Sequence, residues 1–309
     1  MLNSLLKHIR YLENYKEIEE LGNGFSANKK YKIQLHDGSL VFLRIEDFNA
    51  DIDYREYFNI LCKISDNGVN CQHPISYGVD ENLSITYYLS TFIEGSALST
   101  YSNNQLIFSQ FTNCTEEEQL KIGLDLGKDL ATLHRISTPT NLSTWKKGIG
   151  EIFKNDYIQF KNKKIYFKHE QRIIDFIEEN INKLHLRPHA YLHNDLHGGN
   201  IIINNNQYAG LIDFGCTLGD PIFEFHKIPY FMRFHSVPFC IGEINGYFSN
   251  EIPEDFWDIY ALYVAMGIFS TIVRLENHNL ISYDTLLERI EMTLEDHDYF
   301  KVLQPAWFV

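Results

Sequence analysis

The sequence predicts an α+β chain in two parts, a small N-terminal lobe built on an antiparallel sheet with one helix and a larger, mainly helical C-terminal lobe. Three observations carry that prediction: alternating apolar residues in the first third, apolar residues at helical spacing after Gly95, and one short hairpin with polar residues at its open end. The change of periodicity sets the boundary, giving lobes of residues 1–94 and 95–309.

In the first lobe, KKYKIQLHDGSLVFLRI from Lys29 reads as two strands around the turn-rich break of His36, Asp37, Gly38 and Ser39. In the second strand Val41, Leu43 and Ile45 share one face, and Phe42 and Arg44 the other. A helix follows from about Ile52 to Ser65, stopped by Asp66, Asn67 and Gly68. Ile75 to Val79 and Ser84 to Phe92 read as further strands of the same sheet.

Beyond Gly95, Thr115 and Glu118 form a capping-box signature, with Ile122, Leu126, Leu130 and Leu133 on one helical face behind them. That predicts a helix from Glu116 to about Arg135. A second helix reads from Ile173, Phe176, Ile177, Ile181 and Leu184, ending before Pro188, and Trp145 to Asn155 between the two reads as irregular. Ile201 to Ile203 and Tyr208 to Ile212, separated by Asn204, Asn205 and Asn206, form a hairpin, and the chain from Pro253 onward is again largely helical. Ile259 to Val273, the most apolar stretch, falls short of the ~20 residues that span a bilayer and reads as a buried core helix.

Composition narrows the function classes. With 44% hydrophobic and 14% aromatic residues the chain is neither disordered nor fibrous. Lys plus Arg is 27 against 41 for Asp plus Glu, and the net charge of -14 argues against nucleic acid as a partner and favours a cationic small molecule. The five cysteines contain no C-x-x-C pair, so they read as reduced thiols, not as a zinc site or a disulfide framework. The N-terminus shows no signal peptide. A cytoplasmic, soluble protein with no membrane contact and no required protein partner is the expectation.

The chemistry gathers at the hairpin. His193-Asn194-Asp195-Leu196-His197-Gly198-Gly199-Asn200 leads in and Ile212-Asp213-Phe214-Gly215 leads out, so closing the hairpin brings Asp195, Asn200 and Asp213 together. Phosphoryl transfer needs a carboxylate to orient and deprotonate a hydroxyl, and oxygen ligands to hold Mg²⁺ on the phosphates. Asp195 suits the first role as catalytic base, and Asn200 and Asp213 the second as metal ligands.

HNDLHGGN followed by IDFG resembles the signature of the aminoglycoside phosphotransferase and choline kinase superfamily, small-molecule kinases with a bilobal protein-kinase-like fold. Leu126 to Ile136 (LGKDLATLHRI) is similar to the family helix ending in Leu-His, and Gly219-Asp220-Pro221 follows as in the family. The resemblance implies a kinase moving the γ-phosphate of ATP or GTP, with Mg²⁺, onto an alcohol. It also implies a lysine on the third strand paired with a helix glutamate; Arg44 stands there, and Glu56, expected to face inward with Ile52 and Ile60, is the partner candidate. Gly22, Gly24 and Ser26 are the candidate phosphate loop, which a plain turn explains nearly as well. The base is expected against the segment Ser90 to Gly95, at backbone groups near Thr91 and Ile93.

His193 reads as a structural histidine behind the loop, His134 as a helix cap or packing residue, and Asp220 as a support for the loop or a plain turn. For the acceptor, Glu224, Asp255, Asp258 and Trp257 are the candidates, with Tyr230 as a stacking ring; each also reads as an ordinary surface or core residue. His197 in place of the usual lysine and the lack of A-P-E after Gly215 separate the chain from protein kinases. An aminoglycoside-like antibiotic or amino sugar is the favoured acceptor, which would make the protein an antibiotic-resistance enzyme. Choline, ethanolamine, homoserine or another metabolite is the alternative within the class, and a nucleotide-binding pseudokinase module the alternative outside it.

Overall fold

A computed structural model describes residues 2, 5–6, 9–22, 28–80, 82–102, 105–107, 110–138, 145–163, 168–185, 187–278 and 282–309. The chain divides into two compact units, Met1–Glu94 and Gly95–Val309.

The first unit is a five-stranded antiparallel sheet of β1 (Tyr15–Leu21), β2 (Lys29–Leu35), β3 (Leu40–Asp47), β4 (Pro74–Asp80) and β5 (Ile85–Thr91), in the order β1-β2-β3-β5-β4. Alternation sets its faces: Ile33, Val41, Leu43, Ile45, Ile85 and Leu89 bury against Leu5, Leu6, Ile9 and Leu12. The other face carries Arg44 and Tyr88, under helix α1 (Tyr54–Asp66). Asp53 caps α1 by accepting the Glu56 amide at 2.9 Å, and Asn67 with Gly68, at φ +86°, ends it.

The second unit is led by β6 (Ser96–Ala97) and a small hairpin of β7 (Thr100–Ser102) and β8 (Gln105–Ile107). Next come helices α2 (Glu116–His134), α3 (Trp145–Asn162) and α4 (Glu170–Asn180). Four strands then frame the loop motifs: β9 (Ala190–Leu192) pairs with β12 (Thr217–Gly219), while β10 (Ile201–Asn204) pairs with β11 (Gln207–Leu211) and with β6. Helices α5 (Val237–Phe248), α6 (Phe256–His278) and α7 (Tyr283–Asp296) complete it. The α2 capping box forms as expected, Thr115 accepting from the Glu118 amide and Glu118 from the Thr115 amide.

Helices α2 and α5 cross at backbone contact. A Cβ on Gly123, Gly127, Gly242 or Gly246 would lie 2.1–2.2 Å from a carbonyl oxygen of the facing helix. Larger residues would force the pair apart. Phe256–Arg274 within α6 is 19 residues of mean hydropathy 1.5, long enough to cross a bilayer against the shorter run expected, but 83% of it is buried within the protein. It is a core helix.

Trp145 to Asn155 is the clearest departure: it is not irregular but the start of the 18-residue α3. Gly148 and Gly150 cost a helix ~1 kcal/mol each. Phe153, Tyr157 and Phe160 lie at i, i+4 and i+7, with ring centroids 6.0, 5.1 and 5.1 Å from Phe269 of α6, and Ile149 is buried. At ~1.5–3 kcal/mol per large side chain, that burial outweighs the glycines.

Candidate active site

Two short strand pairs hold the polar motifs from opposite sides. β9 runs into His193 and β12 follows Gly215 and Cys216, while the β10–β11 hairpin starts from Asn200 and ends at Leu211. The hairpin is fixed at its tip, where Asn205 and Asn206 take φ +50° and +58°, and Asn206 donates to Asn113 O and to Glu118 of α2. Tyr208 donates to Asp129 of the same helix at 2.7 Å.

At the open end the Ile212 amide donates to Asn200 O at 3.1 Å and the Gly215 amide to His193 O at 2.8 Å, which brings the two motifs together as expected. A Cβ on Gly215 would sit 3.0 Å from that same His193 oxygen, so glycine is what allows the approach. Asn194, Asp213 and Cys216 adopt φ +60°, +63° and +50°. Three non-glycine residues in the left-handed region within one site are costly, and the surrounding bonds hold them there.

His193 is fully buried and works as a structural brace. Its Nε2–H donates to Ile212 O at 2.9 Å, so Nδ1 is the acceptor that receives the Asp195 amide at 3.3 Å. Burial keeps it neutral by pushing its pKa down. Asn200, 6% exposed, turns Nδ2 to Asp195 O at 2.9 Å and to Asp195 Oδ2 at 3.3 Å. Its amide oxygen is thereby the end left for a cation, and the half-buried Asp213 follows Ile212, whose amide is bonded to Asn200 O. An amide oxygen and one carboxylate suit Mg²⁺ completed by nucleotide phosphates and water. Among the described residues no group of three His, Cys, Asp or Glu side chains gathers as a metal cage.

The Asp195 side chain is 58% exposed, the open group of the cluster. His197 Nδ1 accepts from the Gly199 amide at 3.0 Å, so its proton sits on Nε2, which lies 3.5 Å from Asp195 Oδ2. Lys227 Nζ lies 3.5 Å from Asp195 Oδ1 and 3.4 Å from Asn194 O. Partial burial alone would raise the Asp195 pKa, but the His197 hydrogen bond and the charge of Lys227 hold it well below the usual carboxylate range. It is ionised at neutral pH and aims at solvent.

Glu224 is not an acceptor contact. It is 4% exposed and accepts the amides of His193 at 2.5 Å and Asn194 at 2.9 Å, with His134 Nε2 3.8 Å away. Burial raises its pKa, and His134, His193 and the Asn194 amide more than reverse that, leaving it ionised. His134, expected to cap or pack its helix, packs edge-on against Tyr247 and also shares a hydrogen bond with its hydroxyl at 2.9 Å. Asp220 caps the 3-10 turn Pro221–Tyr230 and grips Arg187 at 2.7 and 3.2 Å and Tyr263 at 2.8 Å, so it anchors the entry to β9 and not the loop itself.

The other acceptor candidates also have internal partners: Asp258 pairs with Lys183 at 3.0 Å, Asp255 lies 3.7 Å from Arg187, and Trp257 packs on Phe256, Tyr260 and Phe308. Tyr230 is 1% exposed, a core residue. Lys227 is the residue sequence reasoning missed. Its only signal is the Glu-x-x-Lys spacing after Gly-Asp-Pro, readable once that segment is known to be a 3-10 turn.

In the first unit, Arg44 pairs with Glu46 of its own strand at 3.3 Å and lies over the rings of Tyr88 and Tyr57 at 4.8 and 5.9 Å. The expectation that Glu56 faces inward is corrected: as the third residue of α1 it is exposed, and so is Ile52. The capping geometry of Asp53 sets that orientation. The Thr91 amide is committed to His73 O at 2.9 Å, so it is not available to a base; Ile93 lies beyond the end of β5. Gly22 is exposed with open space around it, and Gly24 and Ser26 fall outside the described residues.

The family model described as "Phosphotransferase enzyme family" matches residues 17–254. No curated protein matches the sequence. Among solved structures, the ADP-bound aminoglycoside phosphotransferase APH(2'')-Ib aligns with TM-score 0.61 at 16% identity, over 100% of this chain and 98% of that one. A thermostable mutant of APH(4)-Ia in ternary complex with AMP-PNP and hygromycin B aligns with TM-score 0.61 at 13% identity, over 93% and 96%. The amicoumacin kinase hAmiN in complex with AMP-PNP, Ca²⁺ and Ami aligns with TM-score 0.61 at 14% identity, over 98% and 95%. These likenesses carry the fold: a kinase-like architecture.

Proposed function

The chain belongs to the phosphotransferase enzyme family, and from that premise we propose that it moves the γ-phosphate of ATP or GTP onto a hydroxyl of an aminoglycoside-like antibiotic or amino sugar. The single observation that carries the reading is the constellation of an open, ionised Asp195 beside a buried Asn200 that turns its amide oxygen away from it. The acceptor class leans on the HNDLHGGN and IDFG motifs and on similarity to kinases solved with hygromycin B and streptomycin.

In this reading Asp195 receives the acceptor hydroxyl. It orients the oxygen for attack and takes its proton as the bond to phosphorus forms and the bond to the leaving nucleoside diphosphate breaks, the bridging oxygen keeping that electron pair. A depressed pKa makes Asp195 a weak base at rest, so its main work is orientation, with proton transfer late. Asn200 and Asp213 would hold Mg²⁺, which neutralises charge on the phosphates. Glu224 and His193 keep the loop in its left-handed turn. Arg44, Gly22, Gly24, Ser26 and Ile93 are retained as the nucleotide side.

The test is a panel of aminoglycosides, macrolides, amino sugars and choline, each offered with ATP and with GTP and read by ADP or GDP release. Asp195→Asn is expected to lose ~10²–10⁴-fold in kcat on whichever acceptor is turned over. Turnover of choline alone would move the protein to the metabolite branch, and near-normal rates in Asp195→Asn would remove Asp195 from the mechanism.

A further inference from the structure

The geometry points to Lys227 as a second catalytic residue, the cation that meets the phosphoryl group as it passes Asp195; this rests on the reading of Asp195 as the hydroxyl acceptor. Glu224 and Lys227 are three residues apart in the 3-10 turn Pro221–Tyr230, where side chains at that spacing eclipse. One face of the turn therefore does two jobs on one loop. Glu224 takes the amides of His193 and Asn194, and Lys227 reaches past them to Asn194 O and Asp195 Oδ1.

The two contacts of Lys227 differ in kind from the ion pairs that hold this unit together. Arg187 grips Asp220 at 2.7 and 3.2 Å, and Arg233 grips Asp296 at 2.9 Å through both carboxylate oxygens. Lys227 sits at 3.4 and 3.5 Å, outside the normal N–H···O range, with a side chain 24% exposed. An ammonium held by two long contacts gives up little in turning toward an arriving anion. His197 cannot substitute, because its Nδ1 is spent on Gly199 and what it presents to Asp195 is an N–H, not a permanent charge.

Transfer brings a group with charge spread over three equatorial oxygens up to an ionised carboxylate. Without a cation at that point the two repel. Lys227 makes no bond and loses no proton in the step; its charge shifts from Asp195 Oδ1 toward the phosphoryl oxygens as Asp195 is neutralised by the acceptor proton.

Affinity for Mg-ADP, with and without aluminium fluoride as a mimic of the phosphoryl group in flight, tests this in the full-length protein alongside kcat. Lys227→Met should keep Mg-ADP affinity within about twofold, lose ~10-fold or more of the tightening by aluminium fluoride and drop kcat ~10²-fold, with Lys227→Arg restoring part of both. Circular dichroism melts of both variants should match the parent. Undiminished tightening in Lys227→Met, with Asp195→Asn inactive, overturns the role of Lys227 alone, even if kcat has fallen. Absence of tightening in the parent, or full activity in Asp195→Asn, overturns the site reading and the Lys227 role with it.

Discussion

Asp195 and Arg44 are charged residues of two regions that hold their charges in different ways. Around Asp195, two backbone bonds between the motif segments, a buried histidine, a buried glutamate and two short sheets fix a loop that includes left-handed non-glycine residues. Around Arg44, the guanidinium lies on two tyrosine faces beside one carboxylate of its own strand, and the helix glutamate expected as its partner is exposed. The first region is specified by many mutually dependent bonds, the second by packing that tolerates exchange. Loss of one partner should therefore propagate through the loop but stay local at Arg44.

The largest effect that would sharpen this contrast is at Glu224. Glu224→Ala leaves two loop amides and His134 without their buried carboxylate, and should cost ~3–5 kcal/mol of stability by chemical denaturation. Glu224→Gln should fold with a smaller loss, and with kcat lowered more than the KM for nucleotide. A Glu224→Ala protein as stable as the parent would show that the loop is not held this way.

Glu243 of α5 comes next. Burial first, and then the charge of Glu224, push its carboxyl up to about 8. The native state therefore keeps a proton that the unfolded chain releases near pH 4.5, so stability falls as pH rises through that window and levels off above about 8. Glu243→Gln should flatten the profile and gain on the order of 2 kcal/mol over the parent at pH 8, from denaturation midpoints taken between pH 5 and 9. A parent curve that is already flat would mean Glu243 is ionised or solvated.

The smallest effect is expected at Arg44. Arg44→Ala removes cation–π contacts worth ~1 kcal/mol, and should raise the KM for nucleotide several-fold with kcat within a factor of about three. A collapse of kcat comparable to that of Asp195→Asn would break the contrast, placing Arg44 in the reacting machinery.

Much of this was legible in one dimension because the signals are local. The β2–β3 break at His36 to Ser39, the capping box at Thr115 and the Asn204–Asn206 turn each depend on residues within a few positions of one another. The same locality made the hairpin bring Asp195, Asn200 and Asp213 to one end. Where neighbours far along the chain decide, the reading failed. Helix α3 forms despite its glycines because Phe269, more than a hundred positions away, packs against it, whereas Glu56 is a local miss, turned outward on a helix whose start the Asp53 cap fixes.

The sequence by itself determined the fold class, the phosphotransferase family and the two motif segments that meet at the hairpin's open end, since turn, cap and periodicity are properties of short segments. Only the tertiary structure decided which charges surround them. Glu224 is a buried clasp and Lys227 a loosely held cation because a 3-10 turn lays both across a loop some thirty residues upstream, and burial and Coulomb interaction act through space rather than along the chain.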